Sequence, residues 1–247
     1  MIMITDNGSK DETLSICREY LGHGVVEIME QPPADFSQYR WVSDMANHLV
    51  NRYNPDWLIH SDADEFFIAR DTDLKAALTH ANLMDKVFAI KRHDFVPIHR
   101  LRRNFTPNDF PYRKTISLGL DGEPLPHKII HRRSRSISVA QGNHRVTGID
   151  LGEEILSHHI EVLHFPIRSY KQFCSKVSNG GSGYELNHTL KPRTGYHKRR
   201  WYNLLKEGSL EQEFDRLYYP SEKLKKSLEE GILLEDRILE NYKPWKK

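Results

Sequence analysis

Two patterns of hydrophobic and polar positions, one typical of buried strands and one of amphipathic helices, alternate in the first part of the chain. Apolar runs, each long enough for one buried strand, occupy residues 1–5, 25–29, 57–61 and 87–90. Between them, apolar residues recur every three or four positions, the period of an amphipathic helix, at residues 9–22, 36–53 and 74–81. This alternation predicts an α/β fold with three layers (αβα) and a mainly parallel mixed sheet with right-handed crossovers.

Short polar signals predict where several helices begin and end. Ser9, followed three residues later by Glu12, has the spacing of a capping box, and Asp73 can cap the helix after it. The Asn179-Gly180-Gly181 segment predicts the end of a later helix over residues 170–177.

The middle and end of the chain have a different pattern. Short β-like runs separated by glycine and proline predict a β-rich insertion or hairpin region, with runs near residues 115–120, 128–131 and 137–140. A late strand is predicted at residues 160–164. From residue 191 onward the chain is charged and aromatic, which predicts helices. We therefore expect a main domain (residues 1–190) and a C-terminal helical extension (residues 191–247).

Composition narrows the class of protein. The chain has 247 residues, and its 36 basic and 34 acidic side chains give a formal charge of +2, which argues against a protein that coats nucleic acid. Cys17 and Cys174 lack the paired spacing of a zinc site or disulfide framework, which fits a reducing cytoplasm. No apolar stretch is long enough to span a membrane, and the N-terminus has no secretory signal pattern, so we expect a cytoplasmic protein.

Three acidic residues follow the apolar run at residues 57–61. In an extended backbone, Asp62 and Asp64 would point to the same side, with the small Ala63 between them. A pair of carboxylates suits Mg²⁺ or Mn²⁺, which keep open positions for water and phosphate oxygens. The alternative is that Asp62, Asp64 and Glu65 solvate a strand end or cap a turn.

Three segments resemble family 2 glycosyltransferases. Residues 6–13 (Asp-Asn-Gly-Ser-Lys-Asp-Glu-Thr) look like that family's Asp-Asn-Gly-Ser-x-Asp-x-Thr segment, and residues 61–66 (Ser-Asp-Ala-Asp-Glu-Phe) look like its metal-binding motif. Residues 163–177 resemble the C-terminal segment of a family-2-like group. The resemblance covers roughly residues 1–180 and implies a glycosyltransferase A fold with a nucleotide-diphospho-sugar donor, most often a uridine one.

The resemblance also implies roles for individual residues. Asp6 and Asn7 would contact the nucleoside, Asp62 the ribose or the metal, and Asp64 the metal. His164, or else His144, would complete the metal shell, although a hydrogen-bonded structural histidine is an equal alternative. The family normally has a strand and a helix before the segment that begins at Asp6; here five residues precede it. Either the sequence begins late or the protein builds its sheet without this first unit.

The remaining candidates follow from the chemistry of sugar transfer. Cations stabilise a departing diphosphate and a base takes the proton of the acceptor hydroxyl. The cation candidates for diphosphate or acceptor contacts are Lys128, Arg132 and Arg168. The base candidates are Asp94, Glu153 and Glu154. The candidates for acceptor contacts are His144 and Arg145.

The resemblance, together with these residues, implies a metal-dependent glycosyltransferase, inverting as the family is, that acts in polysaccharide or glycoconjugate assembly. Its partners would be a nucleotide-sugar donor and a glycan acceptor, and its cofactor Mn²⁺ or Mg²⁺. The basic and aromatic patch at residues 191–202 could also contact an anionic membrane surface. Two alternatives stay open: a metal-dependent phosphodiester hydrolase or nucleotidyltransferase, and a non-catalytic remnant that binds nucleotide-sugars without turnover.

Overall fold

The computed structural model of the protein describes residues 1–31, 37–100, 106, 109–119, 121–186 and 195–239. In chain order the elements are β1 (Ile2–Asp6), α1 (Thr13–Glu19), β2 (Val25–Glu30), α2 (Gln38–Tyr53), β3 (Trp57–Ile59), β4 (Glu65–Ala69), α3 (Leu74–Thr79), β5 (Val87–Asp94), β6 (Tyr112–Lys114), β7 (Lys128–Arg132), β8 (Ser138–Val139), β9 (Val146–Thr147), β10 (Glu154–His164), α4 (Tyr170–Leu186), α5 (Tyr196–Lys206), α6 (Leu210–Leu217), α7 (Ser221–Glu229) and β11 (Leu233–Glu235).

The main sheet is mixed, not mainly parallel. Within the described residues it has five strands in the order β3-β7-β5-β10-β4. Strands β5 and β10 run parallel, whereas β3 and β7, β7 and β5, and β10 and β4 are antiparallel pairs. The alternation of strands and helices did not predict β7 or β4. Both strands run in the opposite direction to β3, β5 and β10, so each of them makes antiparallel pairs. Strands β1 and β2 form a separate parallel pair.

Helices cover both faces of this sheet. Neighbouring residues of a strand point to opposite faces, so Ala89 packs in a cluster with Ala46 of α2, while Ile90 packs in a cluster with Leu78 of α3. Strand β7 divides in the same way, with Ile129 in the first cluster and Ile130 in the second. This arrangement is α/β and is compatible with the expected αβα layering.

Strand β7 corrects the expectation of a β-rich insertion. Residues 128–131 were expected to belong to a hairpin region, but they form β7, which lies inside the main sheet between β3 and β5. Its side chains Ile129, Ile130 and His131 are fully buried, because both of its faces are covered. The other short strands of this region, β6 and β8, pair with β11 and β9.

Helix ends follow the sequence signals in some places only. Asp73 caps α3 as predicted, since its side chain accepts a hydrogen bond from the Ala76 backbone N–H at 2.8 Å. The Ser9 capping box is wrong: the Ser9 N–H and hydroxyl both donate to Asp6, and α1 begins four residues later. The start of the stripe predicted from residue 36 lies outside the described residues.

Helix α4 continues beyond the glycines that were expected to end it. A side chain at Gly181 would meet the ring of Tyr202 at 2.3 Å, so the glycine allows α5 to pack closely against α4. The Phe173 ring contacts Trp201 edge-on in the same interface, 5.1 Å between centroids. The helix interface therefore overrides the local glycine signal.

The C-terminal part is helical, as expected, but it also contains β11. Leu233, Leu234 and Glu235 pair with β6, and the Tyr219 N–H donates to the Pro97 carbonyl. Contacts of this kind join it to the preceding residues, and the proposed boundary at residue 190 itself lies outside the described residues. Among the described helices, none has both the length and the apolar character needed to cross a membrane.

Candidate metal and anion site

One face of the sheet changes from apolar to charged towards the ends of β5 and β10. On this face Ile90 and Val162 lie in a buried apolar cluster. Two residues further along each strand the face becomes Arg92 on β5 and His164 on β10. The carboxylates and the ammonium group beside them come from three strands: Asp94 ends β5, Glu65 starts β4 and Lys128 starts β7. The register pairs His164 with both Asp94 and Glu65.

The acidic motif forms a turn, which corrects the expected extended geometry. The Glu65 N–H donates to the Asp62 carbonyl at 3.1 Å, and this hydrogen bond closes a turn between β3 and β4. Asp62 and Asp64 therefore do not project as alternate residues of one strand. Each carboxylate instead meets a different set of partners.

Asp64, His164 and Asp94 form a buried row. His164 Nδ1 lies 2.7 Å from Asp94 Oδ1, and His164 Nε2 lies 3.6 Å from Asp64 Oδ2. Burial opposes a charge on His164, but its contacts with Asp64 and Asp94 outweigh burial and raise the pKa of the imidazole. Burial likewise opposes a charged Asp64, yet His164 and Lys176 hold the pKa of that carboxyl well below its usual range. The row is thus a charged, closely paired network.

Asp62 is held by neutral and cationic donors. Lys128 Nζ donates to Oδ2 at 2.8 Å, Gln38 Nε2 donates to Oδ1 at 2.7 Å and Asn143 Nδ2 donates to Oδ1 at 3.3 Å. Both oxygens are therefore engaged by protein groups, an arrangement that suits a positioning role; the contact of Asp62 with the ribose or the metal stays a prediction.

Lys128 is a buried counter-ion. Three oxygens surround its Nζ: Asp62 Oδ2 at 2.8 Å, the Gly142 carbonyl at 2.9 Å and, as an ion pair, Glu65 Oε1 at 2.9 Å. An ammonium group has three N–H donors, and the side chain is 1% exposed. Lys128 therefore holds the acidic turn and the Gly142 turn together. This position is less suited to contacting a diphosphate.

Three cations near the carboxylates were missed by the sequence interpretation. Lys176 Nζ donates to Asp64 Oδ2 at 2.5 Å and to the Pro166 carbonyl at 3.0 Å. Arg92 is 10% exposed, lies 3.9 Å from both Asp94 and Glu65, and its Nε has no hydrogen-bond partner among the described residues. Lys198 of α5 is close enough to Lys176, Asp62 and Asp64 to interact with their charges, and burial, followed by the charge of Lys176, lowers its pKa to about 8. Arg92 could have been found from the sequence, because it lies near the polar end of a strand that begins with apolar residues.

The donor set fits a divalent ion held by two protein side chains. Two ligands bonded at about 2.1 Å to one ion lie roughly 3 to 4 Å apart, and Asp64 Oδ2 and His164 Nε2 are 3.6 Å apart. Asp94 supplies the carboxylate that usually orients a metal-binding histidine through its other nitrogen. No group of three or more metal-ligating side chains occurs among the described residues, so water or substrate oxygens would fill the remaining positions.

Asp94 has a supporting place in this arrangement. Its side chain is 10% exposed and bonded to His164, and its backbone N–H donates to Ser117 Oγ. A carboxylate with these contacts is placed to orient His164 and is poorly placed to reach an acceptor hydroxyl. The base role predicted for Asp94 is therefore not favoured.

Glu153 and Glu154 lie at the other end of the sheet. Glu154 pairs with Val87, seven residues before Asp94 on β5, which places it roughly 23 Å from the site at 3.3 Å per residue. Both residues are exposed. Arg132 is also remote, since it stacks over Trp57 at the opposite end of β7. These positions argue against the roles predicted for all three residues.

The turn at residues 142–144 reaches the acidic motif. Asn143 Nδ2 donates to Asp62, the Gly142 carbonyl accepts from Lys128, and His144 Nδ1 contacts the His127 carbonyl at 2.9 Å. Burial, aided by the charge of Lys128, lowers the pKa of His144 to about 4, so this imidazole is neutral at pH 7. His144 therefore lies near the cluster, and Arg145 follows it as an exposed residue. The metal-shell role of His144 and the acceptor contacts of both residues stay predictions.

The predicted nucleoside and diphosphate contacts occupy other loops. The Asp6 carboxylate accepts hydrogen bonds from Ser9, and Asn7 Oδ1 is buried without a partner among the described residues. The Arg168 backbone N–H donates to Gln172 at the start of α4. Their roles towards a ligand stay predictions.

Comparisons with protein-family models and with curated proteins gave no match to this chain.

Proposed function

We propose that this protein is a metal-dependent, inverting glycosyltransferase that moves a sugar from a nucleotide-diphospho-sugar, a uridine one by resemblance, to a glycan or glycoconjugate acceptor. The observation that carries this proposal is the pairing of Asp64 and His164, 3.6 Å apart beside a lysine and an arginine. This combination of hard ligands and cations suits a diphosphate bound to a divalent ion.

The reaction is a single displacement at the anomeric carbon. The acceptor hydroxyl oxygen forms the new bond to that carbon, while the bond from the carbon to the diphosphate oxygen breaks and its electron pair leaves with the diphosphate. The hydroxyl proton passes to a general base. A divalent ion, when bound, stabilises the charge that develops on the leaving diphosphate.

The chain's own residues would prepare the site for that charge. Asp64 and His164 would hold the ion, and Asp94 would fix the orientation of the imidazole. Lys128 and Gln38 keep Asp62 in place and thereby the turn that carries Asp64. Arg92, with an unpartnered Nε among the described residues, would add positive potential beneath the leaving group. The carbohydrate acceptor would lie towards the turn that carries His144.

The proposal is tested by following the products of a panel of uridine-diphospho-sugars with and without Mn²⁺. We expect release of uridine diphosphate that needs Mn²⁺ and that falls by about a thousandfold in Asp64→Asn, because a charge-stabilising interaction is lost in the transition state. The matched control is Asp44→Asn, an exposed carboxylate on α2.

Other outcomes separate the alternatives. Release of sugar 1-phosphate would favour the two alternatives that cleave the diphosphate: together with free uridine monophosphate it indicates a phosphodiester hydrolase, and with the uridylyl group on an acceptor it indicates a nucleotidyltransferase. Binding of the nucleotide-sugar with no product would favour a binding remnant. Equal turnover by the wild type and Asp64→Asn would overturn the proposed site.

A further inference from the structure

Lys176 and a divalent ion would require the same oxygen atom. Lys176 Nζ donates to Asp64 Oδ2, and that oxygen is the one that faces His164 Nε2 across 3.6 Å. An ammonium group and a divalent cation that share one carboxylate oxygen repel each other, so each weakens the binding of the other. Metal binding through Asp64 Oδ2 therefore competes with Lys176 and favours its release from Asp64.

A released Lys176 has few nearby anions to accept it. Lys128 and two amides already engage Asp62, and His164 engages Asp94. Arg92 and Lys198 add positive charge to the same region, and the side chain of Lys176 is 33% exposed on a flexible four-carbon stem. The ammonium can move outward while its bond to the Pro166 carbonyl keeps it near the site. An anion placed over the metal would then be its natural partner.

We propose that Lys176 exchanges partners during donor binding: it neutralises Asp64 in the empty site and binds a phosphate oxygen of the nucleotide-diphosphate once a divalent ion occupies Asp64. This inference rests on the proposed function and assigns Lys176 as a donor-binding residue. It has an unusual thermodynamic consequence, because Lys176 opposes metal binding and favours diphosphate binding. A merely structural ion pair would have no such opposing effects.

The test measures the two affinities separately by calorimetry. MnCl₂ is titrated into the wild type and Lys176→Met, and uridine diphosphate is then titrated at saturating MnCl₂. We expect Lys176→Met to bind Mn²⁺ about tenfold more tightly, since a repelling charge is gone, and uridine diphosphate about tenfold more weakly, since a charge-assisted hydrogen bond is gone. Lys171→Met, an exposed lysine on the same helix, should change neither affinity.

Lys176→Gln provides a second variant with a polar side chain, should Lys176→Met fail to fold. In either variant, a loss of both affinities, or no change in either, overturns the exchange. The wild-type titrations decide the proposed function independently: if the wild type binds neither MnCl₂ nor uridine diphosphate, both proposals fall. If it binds both ligands and the Lys176 variants do the same, the exchange alone falls.

Discussion

Buried histidines on the two faces of the sheet are in opposite electrostatic states. His164 lies between two carboxylates that raise its pKa, whereas His60 and His131, on the other face, contact each other through Nε2 atoms 2.8 Å apart. Burial, with His131 and Lys128 nearby, lowers the pKa of His60 to about 3. A histidine that stays neutral in the folded protein but gains a proton when unfolded makes stability fall with acidification.

The His60 contribution predicts a pH dependence with a defined window. Below the unfolded pKa of about 6.5 and down to about 3, the buried neutral imidazole should lower the free energy of unfolding by about 1.4 kcal/mol per pH unit. His60→Gln should remove that slope in urea unfolding measured between pH 6 and pH 4.5. His158→Gln, at an exposed position, should leave the slope unchanged. If His60→Gln has the same slope as the wild type, His60 does not cause this pH dependence.

The glycine pair in α4 shows how an element is determined by its neighbour. Gly180 and Gly181 suggested a helix end, but the helix continues because α5 packs against it. A side chain at Gly180 would lie 3.7 Å from the stem of Lys198, an ordinary contact, whereas one at Gly181 would overlap the Tyr202 ring. The same local sequence thus has one position that tolerates a side chain and one that does not.

Two substitutions one residue apart test this packing. Gly180→Ala should raise the free energy of unfolding by about 0.5 to 1 kcal/mol, because alanine favours the helix. Gly181→Ala should lower it by about 1 to 3 kcal/mol, because the Tyr202 ring must shift. Thermal unfolding of both variants is the measurement, and stabilisation by Gly181→Ala would show that α4 and α5 do not pack as described.

Elements could be predicted from the sequence where their own residues carry the pattern of buried and exposed positions. The strands at residues 25–29 and 160–164 and the Asp73 cap agree with the structure because periodicity and capping are local. Strand β4 was missed because its apolar run follows the acidic motif directly. The placement of β7 depends on its pairing with β3 and β5, which no local pattern records. Lys176 was missed because it reaches Asp64 from 112 residues away.

Across the whole molecule, a charged network joins the C-terminal strand to the sheet. Asp236, just after β11, accepts hydrogen bonds from Arg70 at 2.6 Å and Arg113 at 2.7 Å, and its side chain is 5% exposed. Burial opposes its charge, but the two guanidinium groups lower its pKa. The last described strand is therefore fixed to β4 and β6 by one carboxylate.

Removing that carboxylate should affect the whole fold. Asp236→Ala should lower the free energy of unfolding by about 3 kcal/mol, since Arg113, 12% exposed, would lose its buried partner. Glu235→Ala, which removes an exposed pair with Arg237, should cost less than about 1 kcal/mol. Denaturant unfolding compares them, and equal effects would indicate that Asp236 does not tie the strand to the sheet.

Asp64 and His164 are proposed to hold a divalent ion that carries a nucleotide-diphosphate, with Asp62 in a supporting place. Calorimetric titration of MnCl₂ in the presence of uridine diphosphate tests it directly on the wild type, Asp64→Asn and Asp62→Asn. We expect the wild type to bind Mn²⁺, Asp64→Asn to bind it about a hundredfold or more weakly because a charged ligand is removed, and Asp62→Asn to show a smaller loss. Absence of Mn²⁺ binding by the wild type, or wild-type affinity in Asp64→Asn, would rule out this metal site.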